Sequence, residues 1–372
     1  MPAPLPSRFV LAPLALGALA LGLVACGDDD RPAESDAGSD DGGGSDAAAP
    51  DAGRSCACAP GAHQRLVYLM SDEGELWSWD PSSGEFAFVV GPVCGGATPY
   101  SMAVDERGLA WVLFVDSMAL QTFDVNDPGP CELSPYVRRN PAFGLFGTSF
   151  VARSETDACS DLYVQTYDGE GPFEEGPGLG QLGVIDPISG ELEALGVLDY
   201  DGGELTGTGD GRLFAFTGTD PVKLVELDRA TGAELDVLPL DGIAKTNASA
   251  VAFYGGDVYV FTEAIPAECE GCLESECGDA LPACRDDATC AEHLQCVLET
   301  ASFTDACGGG LSVAMMECVP RCDACLRPSR ARVSQVLRVD LDGDRSVERV
   351  VEAGPIRVVG AASSPCVPVG PI

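Results

Sequence analysis

The sequence is poor in histidine and in basic residues. The first shortage argues against acid–base catalysis and metal binding, and the second argues against nucleic-acid binding. Two histidines, His63 and His293, occur among 372 residues, so the side chain that most often serves acid–base catalysis and metal ligation is scarce. Lysine and arginine total 21 against 59 acidic residues, a formal net charge of −38. Such a chain repels nucleic-acid phosphates and anionic lipid surfaces, so we expect no nucleic-acid partner.

Long apolar runs are also missing, apart from one near the start. The run from Phe9 to Val24 follows Arg8 and is shorter than the roughly 20 residues that a membrane span needs. The pattern therefore predicts an export signal over residues 1–25.

The end of this signal, Leu23-Val24-Ala25-Cys26, resembles the lipobox of bacterial lipoproteins. The resemblance implies cleavage before Cys26, lipidation of that cysteine and attachment to a membrane of the cell envelope. Gly27 at the next position resembles outer-membrane sorting, so we expect the outer membrane in preference to the inner one. A plain secretory signal with an incidental cysteine is the alternative.

Residues 26–55 lack aromatic and large aliphatic side chains and are rich in Asp, Gly, Ser and Ala. Nothing in such a segment offsets the entropy cost of ordering it. We interpret it as an acidic, disordered tether between the anchor and the folded part.

The rest of the chain repeats a pattern of short strands and turns. Its clearest signature is a hairpin that opens with Asp and closes with Gly, at Trp79–Glu85, Ile185–Glu191 and Leu227–Glu234. The copies run about 40 to 50 residues, the period of four-stranded propeller blades. The first copy lacks an inner strand, and an extra strand, Ile356–Cys366, ends the chain.

We therefore predict an all-β fold, a five-bladed β-propeller over residues 56–262 and 333–372 that the C-terminal strand closes. Six blades and an eight-stranded sandwich are the alternatives. Phrases such as Ser101–Val112 and Glu204–Phe216 resemble uncharacterised bacterial propeller lipoproteins and, more distantly, quinoprotein-like and lyase-like propellers. This resemblance implies the fold and a lipid anchor but no known activity.

Seventeen cysteines indicate an oxidising compartment and a disulfide framework. Ten of them lie in an insertion over residues 263–332, which we predict to be small, mainly helical and disulfide-rich. They are Cys269, Cys272, Cys277, Cys284, Cys290, Cys296, Cys307, Cys318, Cys322 and Cys325. The C-x2-C pairs at both ends are also a zinc signal, but an exported chain favours disulfides, so we expect no metal and no cofactor.

Six further cysteines lie outside the insertion and after Cys26: Cys56, Cys58, Cys94, Cys131, Cys159 and Cys366. Closure of the ring predicts a disulfide from Cys56 or Cys58 to Cys366. Cys94 with Cys131 is a second expected pair.

Candidate catalytic residues are few. His63 lies at the edge of the tether and His293 in the insertion, so neither is placed for a catalytic triad. Among the expected inner strands, only Asp105 and Glu204 supply carboxylates, which argues against a glycosidase centre. The run Asp340–Asp344 resembles a calcium loop, but it aligns with the Asp-to-Gly hairpins, and we interpret it as a turn.

Propeller topology predicts one face that carries the insertion, the loop Asp168–Gly180 and the connections between blades. Binding residues usually lie on such loops. We name Arg138, Arg139, Phe173 and Glu174 as candidates on this face. The expected function is a monomeric, non-enzymatic scaffold that binds an envelope protein or polysaccharide. An envelope hydrolase or lyase with its site at the channel is the alternative.

Overall fold

The computed structural model describes residues 56–167, 175–218, 221–241, 243, 246, 248–264, 267–300, 309–326 and 332–371. These residues form five antiparallel four-stranded sheets arranged as the blades of a propeller, as predicted. Phe173, Glu174, Cys26 and Cys307 lie outside the described residues. Among the described residues, no helix has the length and apolar character that a membrane span requires.

Blade 1 combines both ends of the folded chain. From the axis outward its strands are β20 (Val358–Ala362), β1 (Val67–Ser71), β2 (Leu76–Asp80) and β3 (Glu85–Val90). Strand β20 pairs antiparallel with β1, and Leu69 lies opposite Ala361. The prediction that the last strand completes the first blade is therefore confirmed.

The other four blades each consist of consecutive strands. Blade 2 contains β4 (Pro99–Val104), β5 (Leu109–Phe114), β6 (Ala119–Asp124) and β7 (Glu132–Leu133). Blade 3 contains β8 (Leu145–Ser154), β9 (Asp157–Tyr167), β10 (Glu175–Ile185) and β11 (Leu192–Tyr200). Blade 4 contains β12 (Glu204–Gly207), β13 (Leu213–Thr217), β14 (Lys223–Leu227) and β15 (Glu234–Pro239). Blade 5 contains β16 (Ser249–Tyr254), β17 (Asp257–Ala264), β18 (Val333–Asp340) and β19 (Val347–Val351).

Burial explains why these segments are strands. The second strand of a blade lies between two neighbouring blades, so its residues are apolar on both faces, and every residue of β13 is buried. The outermost strand alternates between more and less exposed positions, as β15 does, because one of its faces meets solvent. The inner strands β4, β8, β12, β16 and β20 follow one another around the axis.

The Asp-to-Gly hairpins have the geometry that the sequence pattern requires. In the turn after β14, Asp228 Oδ1 accepts hydrogen bonds from the backbone N–H groups of Ala230 (3.1 Å) and Thr231 (2.9 Å). Gly232 closes that turn at φ 74°, a left-handed conformation that glycine adopts without strain. In blade 5, Asp340 Oδ1 likewise accepts from the backbone of Gly343 at 2.7 Å, within its own hairpin.

The insertion between β17 and β18 is helical. Its helices are α1 (Ala267–Cys277), α2 (Ala280–Arg285), α3 (Ala288–Thr300) and α4 (Val313–Cys318). Leu273, Leu294 and Met315 form an apolar core of its own with the buried cysteines. Disulfides join Cys269 to Cys325, Cys272 to Cys322, Cys277 to Cys318 and Cys284 to Cys290, and Cys296 is disulfide-bonded as well. The two C-x2-C pairs thus bond to each other, so these four sulfurs are not thiolate ligands.

Three disulfides join cysteines outside the insertion. They are Cys58–Cys366, Cys94–Cys131 and Cys56–Cys159. The first links the segment before β1 to the segment after β20, the connection expected from ring closure. The third links the start of the described chain to β9 in blade 3, a pairing the sequence did not indicate.

His63 differs from the sequence-based expectation. It is completely buried, not at the edge of a tether, and its Nδ1 lies 3.1 Å from Asn126 Nδ2 on blade 2. The reason is that the chain is already packed against the ring from Cys56 onward. His293 is on α3, where its Nδ1 lies 2.7 Å from the Thr289 carbonyl oxygen.

Candidate functional site

The strand order defines two faces of the ring. We call the face that carries the turns from second to third strands and the connections between blades the insertion face, because the insertion joins β17 to β18 there. Arg138 and Arg139 lie in the connection from β7 to β8 and are exposed on this face. Arg138 Nη1 lies 2.6 Å from Sδ of Met118, in the turn between β5 and β6. The structure therefore brings both arginines to the face where they were expected.

A buried ion-pair network holds the insertion at the closing seam of the ring. We call Asp72, Glu263, Arg332 and Arg357 the seam network. The Glu263 side chain is fully buried, and its Oε1 accepts from Arg357 Nε at 2.7 Å. Its Oε2 lies 3.2 Å from Arg332 Nη1. Glu263 thus binds one arginine at the exit of the insertion and one at the start of β20.

Each arginine then bridges to a second element. Arg332 Nη2 donates to the carbonyl oxygen of Gln295 on α3 at 3.3 Å. Arg357 Nη1 lies 3.5 Å from Asp72 Oδ2, just after β1. Burial alone would lower the pKa of Arg357, but Glu263 and Asp72 raise it, so the guanidinium stays charged. The network therefore connects blade 5, blade 1, the closing strand and the insertion.

A cleft of about 530 Å³ adjoins this network on the insertion face. Trp77, Ile356 and Arg357 line it from the ring, and Glu268 lines it from α1. Trp77 Nε1 donates to Glu75 Oε2 at 2.9 Å, which fixes the indole at the edge of the cleft. A larger cleft of about 1240 Å³ lies on the opposite face, lined by Tyr254, Asp257, Arg338 and Asp342 among others.

Glu204 places a buried carboxyl group at the channel of the ring. It starts inner strand β12 of blade 4, and its Oε2 accepts a hydrogen bond from Ser101 Oγ on β4 of blade 2 at 3.0 Å. Ser101 Oγ in turn accepts from the backbone N–H of Thr148 on β8 at 3.1 Å. Burial raises the pKa of Glu204 to about 8, although the hydrogen bond from Ser101 opposes the shift. This carboxyl group is therefore neutral at pH 7.

Asp105, the other predicted inner-strand carboxylate, does not act in the channel. Its Oδ1 accepts from the backbone N–H groups of Arg107 and Leu109, both at 2.9 Å, so it stabilises the turn after β4. The adjacent Glu106 is completely buried and accepts a hydrogen bond from Ser160 at 2.5 Å. A carboxylate in a short turn normally predicts exposure, so the sequence gives no signal for this burial.

Polar side chains surround the insertion-face end of the channel next to Glu204. Tyr100 and Tyr167 stack nearly parallel, with ring centroids 5.9 Å apart and an angle of 8° between planes. Burial raises the pKa of Tyr100 well above its usual value, and Glu204, Tyr167 and Asp201 add to the rise. Gln165 lies two residues before Tyr167 on β9 and is completely buried. Among the described residues, no group of His, Cys, Asp and Glu side chains is arranged to hold a metal ion.

Neutral Glu204 leads to a prediction about pH dependence. The unfolded chain releases the Glu204 proton near pH 4.5, whereas the folded chain keeps it to about pH 8. Between these values the folded state binds one more proton, so this residue makes the protein less stable as pH rises. At 1.36 kcal/mol per pH unit, the loss from pH 5 to pH 7 is about 3 kcal/mol.

Glu204→Gln is expected to remove this contribution, because the amide is neutral at every pH and has a similar shape. Urea denaturation of both proteins at pH 5 and pH 7 checks this. The variant should match the wild type at pH 5 and exceed its stability at pH 7. Equal slopes against pH for the two proteins would show that Glu204 is ionised in the fold.

Comparisons with known proteins find structural similarities but no family. Similar solved structures include a hydrazine synthase from Kuenenia stuttgartiensis, at 12% identity over 76% of this chain and a TM-score of 0.35; the match covers 65% of that chain, just under two thirds. A chain of a nidogen/laminin complex matches at 8% identity, over 80% of this chain and 97% of that chain, with a TM-score of 0.41. A streptogramin B lyase matches at 14% identity over 54% and 59% respectively, with a TM-score of 0.33. No protein-family model and no curated protein matches the sequence.

Proposed function

We propose that this protein is a lipid-anchored, non-enzymatic binding module of the cell envelope. In this proposal the ring is a platform, and the insertion face binds an envelope protein or polysaccharide. The observation that carries the proposal is the rigid mounting of the insertion. It has its own disulfide-bonded core, and Arg332 connects its helix α3 to the buried carboxylate of Glu263.

Rigid mounting favours binding because a preorganised surface loses little entropy when a partner docks. The insertion adds about 70 residues to one turn of a blade in which the other turns are short. An insertion of this size with a separate core is not needed to close the ring, since β17 and β18 pair directly up to Ala264 and Val333. A role outside the ring accounts for it.

The anchor rests on the Leu23–Cys26 motif and the acidic tether after it, which lie outside the described residues. Two observations support export and attachment. The disulfides of the ring and the insertion require an oxidising compartment. The described chain starts at Cys56 on the face opposite the insertion, bonded to Cys159 beside the turn between β8 and β9. Attachment through that side leaves the insertion face open to a partner.

Deletion of the insertion tests this function. A short Gly-Asn-Gly turn in place of residues 265–331 would join Ala264 to Arg332 and keep the Glu263–Arg332 pair. We expect a folded ring that no longer retains the partners captured by the full chain from solubilised envelope. Circular dichroism and the mapped disulfides Cys58–Cys366 and Cys94–Cys131 verify the fold.

A matched control keeps the insertion and changes the opposite face, for example by Asp342→Asn with Arg338→Gln in the larger cleft. This control should capture the same partners as the wild type. Retention of the same partners by the deletion variant would contradict the proposed role of the insertion.

One observation favours the alternative, an envelope hydrolase or lyase. A carboxyl group that is neutral at pH 7, as Glu204 is, can act as a general acid. Under this alternative, Glu204→Gln abolishes turnover of envelope polysaccharide while it leaves partner capture unchanged. If the protein only binds its partner, neither the wild type nor Glu204→Gln turns over the polysaccharide.

A further inference from the structure

The insertion-face end of the channel has the properties of a ligand site. We call the following residues the mouth cluster: Tyr100, Ser101, Gln165, Tyr167, Asp201 and Glu204. They come from blades 2, 3 and 4 and from the connection between β11 and β12. We propose that the mouth cluster binds a neutral sugar residue. This proposal rests on the proposed function, because it selects polysaccharide as the partner class and gives it a site.

Gln165 is the first reason. Its side chain is completely buried, yet neither its Oε1 nor its Nε2 has a hydrogen-bond partner among the described residues. It packs against Gly203, where an added Cβ would lie 2.6 Å from Oε1 and 2.7 Å from Nε2. Folding thus places an amide with two donors and an acceptor against Gly203, the neighbour of Glu204 in the chain, where burial without a partner is unfavourable. A bound ligand with hydroxyl groups supplies both kinds of partner.

The charge state of Glu204 is the second reason. Because its carboxyl group is protonated at neutral pH, it can donate one hydrogen bond while it accepts another from Ser101. Glu204 therefore adds no negative charge to the mouth cluster, in a protein whose formal net charge is −38. Asp201 and the overall charge disfavour an anionic ligand.

The aromatic rim is the third reason. Tyr100 and Tyr167 are partly exposed, and their stacked rings stand beside Glu204 and Asp201. Tyrosine provides a flat apolar surface together with a hydroxyl group, which suits a ligand that is apolar on one face and polar at its edge. Sugar rings have this character. The set of a neutral carboxyl, an amide, hydroxyl groups and aromatic rings is therefore complementary to a neutral sugar.

The test uses the neutral trisaccharides chitotriose and maltotriose as probes, with calorimetry and saturation-transfer NMR on the full chain. We expect saturable binding of at least one probe at pH 6.5. Gln165→Leu, which keeps the volume and removes the amide, should weaken binding at least tenfold. Gln121→Leu on β6, outside the mouth cluster, is the matched control and should leave affinity unchanged.

The pH dependence provides a second readout if Gln165→Leu does not fold. Raising the pH from 6.5 to 9 should weaken binding to the wild type by up to about tenfold, because Glu204 loses its proton. Glu204→Gln should bind equally at both values. The titratable groups next to Glu204 are Tyr100, Tyr167 and Asp201, and the Glu204→Gln comparison holds them constant.

Absence of saturable binding for both trisaccharides overturns the proposal. Binding that neither Gln165→Leu nor pH affects overturns it too, since the sugar then lies elsewhere. The insertion-deleted ring separates this outcome from failure of the proposed function. It should still bind the trisaccharide through the mouth cluster, whereas capture of the longer envelope polysaccharide also requires the insertion.

Discussion

Replacement of Cys58 and Cys366 by serine is expected to lower the free energy of unfolding by about 5 kcal/mol. This disulfide closes a loop with a sequence separation of 308 residues, so its removal frees the unfolded chain more than the loss of any other disulfide described here. In the folded state it also links the segment before β1 to the segment after β20, the two strands that pair at the seam. Equilibrium unfolding in urea under non-reducing conditions measures the difference.

The matched control is Cys94→Ser with Cys131→Ser, whose disulfide spans a separation of 37 residues. By the same loop-entropy relation, its loss should cost about 4 kcal/mol, and the seam should remain intact. Hydrogen exchange distinguishes the two variants, since only the first should expose the amides of β1 and β20. A loss under about 1 kcal/mol for Cys58 and Cys366 would mean that strand pairing alone closes the ring.

Glu263→Gln is expected to lower the free energy of unfolding by about 4 kcal/mol. The change removes the fully buried carboxylate that both Arg332 and Arg357 contact. Arg332, whose side chain is nearly buried, then loses the carboxylate that lies 3.2 Å from its guanidinium, and removing one partner of a buried ion pair has a high energetic cost. Arg357 keeps Asp72 and is partly exposed, which limits its share of the loss.

The exposed pair of Arg338 and Glu348 provides the control for this substitution. Its atoms lie 2.9 Å apart, but both side chains are largely in solvent, so Glu348→Gln should cost less than about 1 kcal/mol. Thermal unfolding and proteolysis of the insertion should change together in Glu263→Gln. If the insertion stays protected while the ring is destabilised, the network stabilises the seam and does not position the insertion.

The propeller fold could be predicted because each sequence pattern that indicates it spans only a few residues. Each Asp-to-Gly hairpin, such as the one from Asp228 to Gly232, marks a junction within a few residues. The missing inner strand of blade 1 and the extra strand at the end then implied closure. The insertion was predictable as helical and disulfide-rich for a similar reason, since its cysteines are concentrated in one segment.

The candidate sites were only partly predictable because their contacts join distant residues. Glu204 was identified as an inner-strand carboxylate, but its neutral state depends on burial beside Ser101, at a separation of 103 residues. The seam network joins Glu263 to Arg357 across 94 residues, and no periodicity indicates such a pair. Gln165 does carry a signal in the sequence, as a polar residue in a second strand expected to be buried on both faces.

The way the chain enters the ring determines how it responds to tension. A pull on the segment before Cys56 passes through Cys56–Cys159 into β9, in the middle of blade 3. Any load that continues to Cys58 reaches the segment after β20 through Cys366. The load therefore bypasses β1, and the hydrogen bonds between β1 and its neighbouring strands do not break one after another. A pull at this point is therefore carried by two disulfide bonds before it reaches the hydrogen bonds of the sheet.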